Sequence, residues 1–146
     1  MNINIKLVTS NKDKKICFSI RQKVFIEEQK IDKKIESDDD RIESICFLAS
    51  IRDIYVGTAR YRQTDIGIKL ERFAVLKSYR YLGVGKSLVH YMVKYLKNES
   101  YIYLYAQHNV IDFYSKLGFD AIGNRFKEAE IPHQKMIYNQ NIETSS

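Results

Sequence analysis

The hydrophobic pattern of this chain changes from a strand period to a helical period at two glycines, Gly83 and Gly85. Before the glycines, the run 68–75 is rich in apolar residues and follows a turn-forming stretch, which is typical of a β-strand. From 83 to 96, apolar residues recur every three or four positions, which places them on one face of a helix. The run 101–106 that follows is again short and apolar. This order predicts a strand, a helix and a parallel strand joined by a right-handed crossover.

The rest of the chain supplies further strands and helices. Short turns separate three β-rich runs in the first half of the chain, which predicts an antiparallel meander. The predicted elements, in chain order, are strand 3–8, helix 14–28, strands 45–50, 54–63 and 68–75, helix 83–96, strand 101–106, helix 109–117 and strands 121–122 and 133–138. The last two strands are expected to close around a loop that holds Pro132, and 140–146 to form a flexible tail. We therefore expect an α/β (α+β) fold with a mixed sheet, as one domain over residues 1–146.

The composition limits the classes of protein to which the chain can belong. Of the 146 residues, 45% are hydrophobic and one is proline, so we expect a globular chain. A net charge of +6 favours an anionic partner. No apolar run has the length of a membrane span and the N-terminus lacks a signal-peptide pattern, so we expect a cytoplasmic protein with no membrane partner. Cys17 and Cys46 lack metal-ligand spacing, so we expect free thiols and no metal.

The residues around the two glycines suit a bound anion. A glycine-rich turn at the start of a helix presents main-chain N–H groups at the positive end of the helix dipole. Arg80, Lys86 and Ser87 would add positive charge and a hydroxyl donor for a diphosphate. A nucleotide-binding P-loop would need a glycine five positions before Gly85, where the chain has Arg80. Taken alone, the loop leaves open the alternative of a helix that merely starts with flexible glycines.

Two parts of the chain resemble motifs of the GNAT acetyltransferase superfamily. The run Leu70-Glu71-Arg72-Phe73-Ala74-Val75, followed by Arg80-x-x-Gly83-x-Gly85, is similar to the superfamily's fourth strand and motif A. The segments Tyr105-Ala106-Gln107, Asn109 and Phe113-Tyr114-x-x-Leu117-Gly118-Phe119 are similar to its motif B.

Three further segments resemble the YjcF/ElaA-like branch of that superfamily. They are Arg21-x-x-Val24-Phe25-x-x-Glu28-Gln29, the acidic stretch Glu36-x-Asp38-x-Asp40, and Phe126-x-Glu128-x-x-Ile131-Pro132-His133-x-x-Met136. The sequence departs from the branch where a histidine often follows the acidic stretch, since Ser44-Ile45-Cys46 stand there instead.

The resemblance implies a fold, a donor and an acceptor. In a GNAT fold, a mixed and mostly antiparallel sheet of about seven strands is flanked by helices, and its fourth and fifth strands splay apart. The donor would be acetyl-CoA and the acceptor a primary amine of a small molecule or protein, with direct transfer in a ternary complex. No metal would take part, and the protein would be a monomer or a homodimer.

The resemblance also implies roles for individual residues. Tyr114 would protonate the departing thiolate, and its alternative role is aromatic packing. Glu71 would activate the amine through a water molecule, and its alternative role is simple pairing to a cation. Asn109 would contact the pantetheine or cap its helix, and His133 would line the acceptor cleft or act as a surface or capping residue. The predicted coenzyme-binding residues are Phe73, Ala74, Val75, Arg80, Tyr81, Gly83, Val84, Gly85, Lys86, Ser87, Asn109 and Tyr114. The predicted acceptor-binding residues are Glu28, Arg72 and His133.

Other functions share parts of these sequence patterns. A domain that binds coenzyme A as a sensor, without catalysis, would share the same glycine loop. Arg21, Phe25 and the acidic stretch also resemble acyl-homoserine-lactone synthases, although the chain is short for that class and has no tryptophan. The tyrosines between 91 and 105 could stack on nucleic-acid bases, but their spacing fits a core and no basic helix accompanies them, so we expect no nucleic-acid partner.

Overall fold

The computed structural model describes residues 2–30 and 43–140. Its strands are β1 (Ile3–Leu7), β2 (Ile45–Ile51), β3 (Ile54–Gln63), β4 (Ile68–Val75), β5 (Ile102–Gln107), β6 (Phe119–Glu128) and β7 (Ile131–Tyr138). Its helices are α1 (Asn11–Arg21), which continues as a π-helical segment (Gln22–Glu28), α2 (Val84–Tyr95) and α3 (Ile111–Lys116), with short 3₁₀ turns at Lys77–Tyr79 and His108–Val110. The predicted order of elements is confirmed. The acidic stretch 36–40 and the tail residues 141–146 lie outside the described residues.

The strands form one mixed sheet in the order β1-β2-β3-β4-β5-β7-β6. Among the strands of the described residues, only β4 and β5 run parallel, and the other neighbouring pairs are antiparallel. The predicted meander is therefore β2-β3-β4, and the predicted crossover is the step from β4 through α2 to β5. This arrangement confirms the mixed, mostly antiparallel GNAT sheet that the resemblance implied.

The two faces of the sheet are covered by different helices. Neighbouring residues of a strand point to opposite faces, and on β2 Phe47 packs in the cluster that includes α2, whereas Leu48 packs with α1. α1 begins at Asn11, where the hydroxyl of Ser10 accepts a hydrogen bond from the amide of Asp13 at 3.1 Å. The predicted start of this helix at 14 was therefore three residues late, because the N-cap serine precedes the apolar periodicity.

The prediction for the last two strands was wrong in its boundaries. β6 extends to Glu128, and Pro132 lies within β7, paired with Lys127. The turn is formed by Ala129 and Glu130, both with positive φ angles, as in a two-residue hairpin. β6 is an edge strand whose residues are almost all exposed, so it lacks the alternation by which a half-buried strand is recognised in a sequence.

Candidate active site

The central feature of the site is a gap between β4 and β5. These strands pair only at Ile68 with Ile102 and at Lys69 with Tyr103. β4 nevertheless continues to Val75 in register with β3. Along 70–75, the side of β4 that faces β5 is therefore not part of a ladder in the described structure. The splay expected of strands 4 and 5 is confirmed.

A β-bulge lies in β4 beside this gap. The register passes from Thr58 opposite Ala74 to Arg60 opposite Glu71, so β4 contains one more residue than β3 over this stretch. Arg72 takes the left-handed conformation, with φ of 58°. A bulge bends a strand and interrupts its pairing, which is consistent with the place where β4 separates from β5.

The bulge and gap leave main-chain groups of β4 facing the opening. The amide of Leu76 donates to the carbonyl of Val56 on β3 at 2.9 Å. Because alternate residues of a strand direct their main-chain groups to opposite sides, those of Val75 point away from β3. The carbonyl of Val75 accepts a hydrogen bond from Nε of Arg80 at 3.0 Å, and its N–H faces the gap.

The N-terminus of α2 lies where the sequence predicts a cradle for an anion. Gly83 is the N-cap, with φ of 92° and no capping side chain. Its carbonyl accepts the first helical hydrogen bond, from the amide of Ser87 at 3.0 Å. The amides of Val84, Gly85 and Lys86 precede that bond and have no carbonyl within the helix. Three N–H groups thus converge at the positive end of the helix dipole.

Gly57 on β3 allows this cradle to lie close to the gap, and it was not among the residues predicted from the sequence. A Cβ at Gly57 would lie 2.9 Å from Cγ1 of Val84 and 3.3 Å from the carbonyl oxygen of Ala74. Both contacts are shorter than ordinary van der Waals distances, so only glycine lets the first turn of α2 pack here. A glycine inside a strand pattern was the available signal.

The guanidinium group of Arg80 connects three parts of the site. Besides its bond to Val75, it donates to both carboxylate oxygens of Glu28, at 2.5 Å each. These hydrogen bonds and the positive charge of Arg80 lower the pKa of the Glu28 carboxyl. A predicted coenzyme-binding residue and a predicted acceptor-binding residue are therefore in direct contact, and they tie the end of the π-helical segment to the end of β4.

Tyr114 lies buried on α3 and reaches across the opening. Its ring packs edge to face on Phe73 of β4, with centroids 5.9 Å apart, and on Phe119 at 5.8 Å. Burial raises the pKa of its phenol. The side chain therefore remains protonated at neutral pH, and its ring contacts match the packing role; its role as a proton donor stays a prediction.

Glu71 is enclosed by three cations. One carboxylate oxygen contacts Arg60 at 2.7 and 2.5 Å, and the other contacts Arg62 at 3.0 Å and Lys69 at 3.6 Å. Burial alone would raise the pKa of this carboxyl, but the charges and hydrogen bonds of the two arginines outweigh it and lower the pKa. These contacts match the alternative of pairing to cations, and a lowered pKa makes Glu71 a weaker base.

The remaining predicted residues lie around the same end of the sheet. His133 of β7 is opposite Gln107, the last residue of β5, and is buried rather than on the surface. Its Nδ1 lies 2.7 Å from the carbonyl of Ile131, and its ring stacks on Phe126. Asn109 is exposed in the 3₁₀ turn before α3, and no side chain caps that helix. The alternative of Asn109 as a helix cap is thus not what the structure shows.

Two kinds of feature are absent from the described residues. They contain no group of three or more histidine, cysteine or acidic side chains arranged to hold a metal ion. Among residues 2–30 and 43–140, no helix is both long enough and apolar enough to cross a membrane.

Comparison with known proteins identifies the family. Residues 11–139 match the family described as acetyltransferase (GNAT) domain. A protein of Bacillus subtilis (strain 168) named as an acetyltransferase is 37% identical over 139 residues, covering 92% of this chain and 95% of the relative. The N-acetyltransferase YjcF of the same organism is 34% identical over 126 residues, covering 84% of this chain and 90% of YjcF.

A solved structure agrees with the sequence relatives. The crystal structure of Escherichia coli ElaA superposes with a TM-score of 0.82 at 22% identity, covering 94% of this chain and 100% of ElaA. The fold and the branch that the motifs implied are therefore both confirmed. With its splayed strands beside a helix N-terminus, the chain belongs to the GNAT acetyltransferase family and is an acyltransferase.

Proposed function

We propose that this protein transfers the acetyl group of acetyl-CoA to a primary amine of a small molecule or protein, by direct transfer in a ternary complex. The observation that carries the proposal is the gap between β4 and β5 beside three unbonded amides at the start of α2. A gap of this kind accommodates an extended chain with amide groups, and the helix N-terminus accommodates a diphosphate. Pantetheine and the diphosphate of coenzyme A have these two chemistries in sequence.

The donor would be held mainly by main-chain groups. The amides of 84–86 would bind the diphosphate, and Lys86 and Ser87 would add charge and a hydroxyl. Phe73, Ala74 and Val75 would pair with the pantetheine along the open side of β4. Arg80, Tyr81 and Asn109 border the same opening, and Tyr81 is fully exposed beside the cradle.

The chemical step needs an unprotonated amine. Its lone pair would attack the thioester carbonyl, and a main-chain N–H of β4 would hydrogen-bond the resulting oxyanion. When the carbon–sulfur bond breaks, Tyr114 would donate its proton to the coenzyme thiolate, and the proton lost by the amine would pass through water to restore the Tyr114 phenol. Every bond and proton in the transfer is then accounted for without a metal.

Glu71 would act on the acceptor mainly through its charge. Because the pKa of the Glu71 carboxyl is lowered, the carboxylate stays ionised and can attract the amine through a water molecule. A proton taken from the amine would stay on this carboxylate only briefly. Glu28, Arg72 and His133 would line the rest of the acceptor cleft. We further propose one domain over residues 1–146, in the cytoplasm, as a monomer or homodimer.

Two measurements test the proposal. Calorimetric titration with acetyl-CoA should show saturable binding at one site per chain, and failure to bind would contradict the donor assignment. Chromatography of coenzyme A released from acetyl-CoA should then show release that depends on members of a primary-amine panel. Tight binding with no amine-dependent release across the panel would indicate a coenzyme sensor and contradict the transferase proposal.

A further inference from the structure

The two cysteines of the chain, which the sequence predicts as free thiols, pack in the same cluster of side chains. Cys17 is on α1 and Cys46 is on β2, and both belong to the cluster of side chains between α1 and the sheet. Both are free thiols, and each is the neighbour that most strongly shifts the pKa of the other. The sequence has no other cysteine, so each thiol has the other as its only possible disulfide partner within the chain.

The two thiols differ in access to solvent. Cys17 is only 1% exposed, whereas Cys46 is partly exposed. A small oxidant dissolved in water can therefore reach Cys46 and not Cys17. Reactive cysteines that act in pairs commonly have this arrangement, in which an accessible thiol lies beside a second thiol that can resolve its oxidised form.

Arginines favour the reactive form of Cys46. Cys46 is directly opposite Arg60 in the β2–β3 register, and Arg60 is only 2% exposed. The hydrogen bond from Cys17 and the charges of Arg21 and Arg60 lower the pKa of the Cys46 thiol. The thiolate is the form that reacts with peroxides, and this environment increases its share at neutral pH.

We propose that Cys17 and Cys46 form a site of reversible oxidation, at which hydrogen peroxide oxidises Cys46 and a disulfide then closes between α1 and β2. In the first step, the thiolate of Cys46 attacks one peroxide oxygen, the O–O bond breaks, and sulfenic acid and hydroxide form. In the second step, the thiol of Cys17 attacks the sulfenic sulfur and water leaves, its second proton coming from Cys17. A dithiol reductant reverses the reaction by thiol–disulfide exchange.

The proposed site adjoins the acyl-transfer machinery without being part of it. Arg60, opposite Cys46, is the residue whose guanidinium group binds Glu71. Formation of the disulfide removes the negative charge of the Cys46 thiolate from beside the guanidinium group of Arg60. The chemistry at the cysteines does not depend on coenzyme or acceptor, so it can be tested whatever the outcome for the proposed function.

Intact-mass spectrometry of the protein treated with hydrogen peroxide tests the proposal. We expect the mass to fall by that of two hydrogen atoms, both thiols to disappear from a thiol titration, and dithiothreitol to restore them. A proteolytic digest should yield one cross-linked pair of peptides containing Cys17 and Cys46. Disulfide-linked dimers on a non-reducing gel in place of this cross-link would overturn the proposal.

Single variants separate the two thiols. Cys17→Ser should accumulate sulfenic acid at Cys46, trapped by dimedone, whereas Cys46→Ser should form neither sulfenic acid nor disulfide. If Cys17 substitution perturbs the buried cluster, Cys17→Ala provides a second test, and circular dichroism reports the fold of each variant. Equal oxidation of the two single variants, or an unchanged mass and thiol count in the parent protein, would contradict the proposed order of reaction.

Discussion

Phe73 and Tyr114 pack edge to face across the opening between β4 and the segment after β5, with ring centroids 5.9 Å apart. Phe73 belongs to the bulged part of β4 and Tyr114 to α3. This aromatic contact therefore joins β4 to the helix that follows β5, on the far side of the opening. This contact places the phenol of Tyr114 beside the main chain that we propose contacts the thioester.

Tyr114→Phe should separate catalysis from packing. The substitution keeps the ring contacts and removes only the proton donor, so we expect kcat to fall by about 10² while the Kd for acetyl-CoA stays within about twofold. Steady-state kinetics with an identified amine and calorimetry measure the two quantities. Unchanged kcat would exclude Tyr114 as the acid and leave it a packing residue.

Gly83→Ala should weaken coenzyme binding through the main chain. A side chain at φ of 92° is strained by about 1–2 kcal/mol, and relief of that strain would turn the cradle amides away from the diphosphate. Calorimetric titration with coenzyme A measures the loss, which we expect to exceed tenfold. Gly123→Ala is the matched control, because Gly123 has φ of 76° and open space around it, far from the cradle in β6. Equal affinity for the two variants would contradict the cradle assignment.

Glu28→Gln should strengthen binding of coenzyme A at low ionic strength. The carboxylate of Glu28 occupies both ends of the Arg80 guanidinium group, so its neutralisation frees that charge for a phosphate. The neighbouring substitution Glu27→Gln changes the net charge equally, and no contact of Glu27 with Arg80 is present. Calorimetry in buffers of low and high salt measures the difference between the two variants, which should shrink as salt rises. A weaker or identical affinity for Glu28→Gln would show that the pair positions Arg80 instead of competing for it.

Glu71→Gln should destabilise the fold in a pH-dependent way. The folded pKa of Glu71 is lowered, so its stabilising contribution is present above the unfolded pKa, about 4.3, and is lost as the pH falls through the folded value. We expect a loss of about 3 kcal/mol in the free energy of unfolding at pH 7 and a smaller loss at pH 3, measured by urea denaturation. Glu130→Gln, on the exposed hairpin turn, should change stability little at either pH. A loss that does not depend on pH would argue against the ion pairs as its cause.

Gly57→Ala should displace the first turn of α2. The added methyl group would lie 2.9 Å from Cγ1 of Val84, so we expect a lower melting temperature together with weaker coenzyme binding. The double variant Gly57→Ala/Val84→Ala removes Cγ1 of Val84, the atom closest to the added methyl group. It should recover part of the melting temperature and part of the affinity for coenzyme. If the double variant is no better than Gly57→Ala, the contact with Val84 is not the cause.

Features that depend on neighbouring residues were predictable from the sequence. The bounds of β3 and β4 were predicted correctly, because turns and apolar runs are local signals. The glycine turn that begins α2 could likewise be recognised, since it is built from main-chain groups within a few residues of Gly83. The length of β6 could not be predicted, because an exposed edge strand has no hydrophobic alternation to mark it.

The sequence by itself determined the family, the order of elements and the loop beside α2, all of which are encoded in short segments and their spacing. Only the tertiary structure decided which distant side chains meet. The pairing of Glu28 with Arg80, the three cations around Glu71 and the packing of Cys17 and Cys46 in one cluster each join segments far apart in the chain. Such contacts follow from the order and register of the strands and from the faces that the helices cover, and no local pattern of residues specifies them.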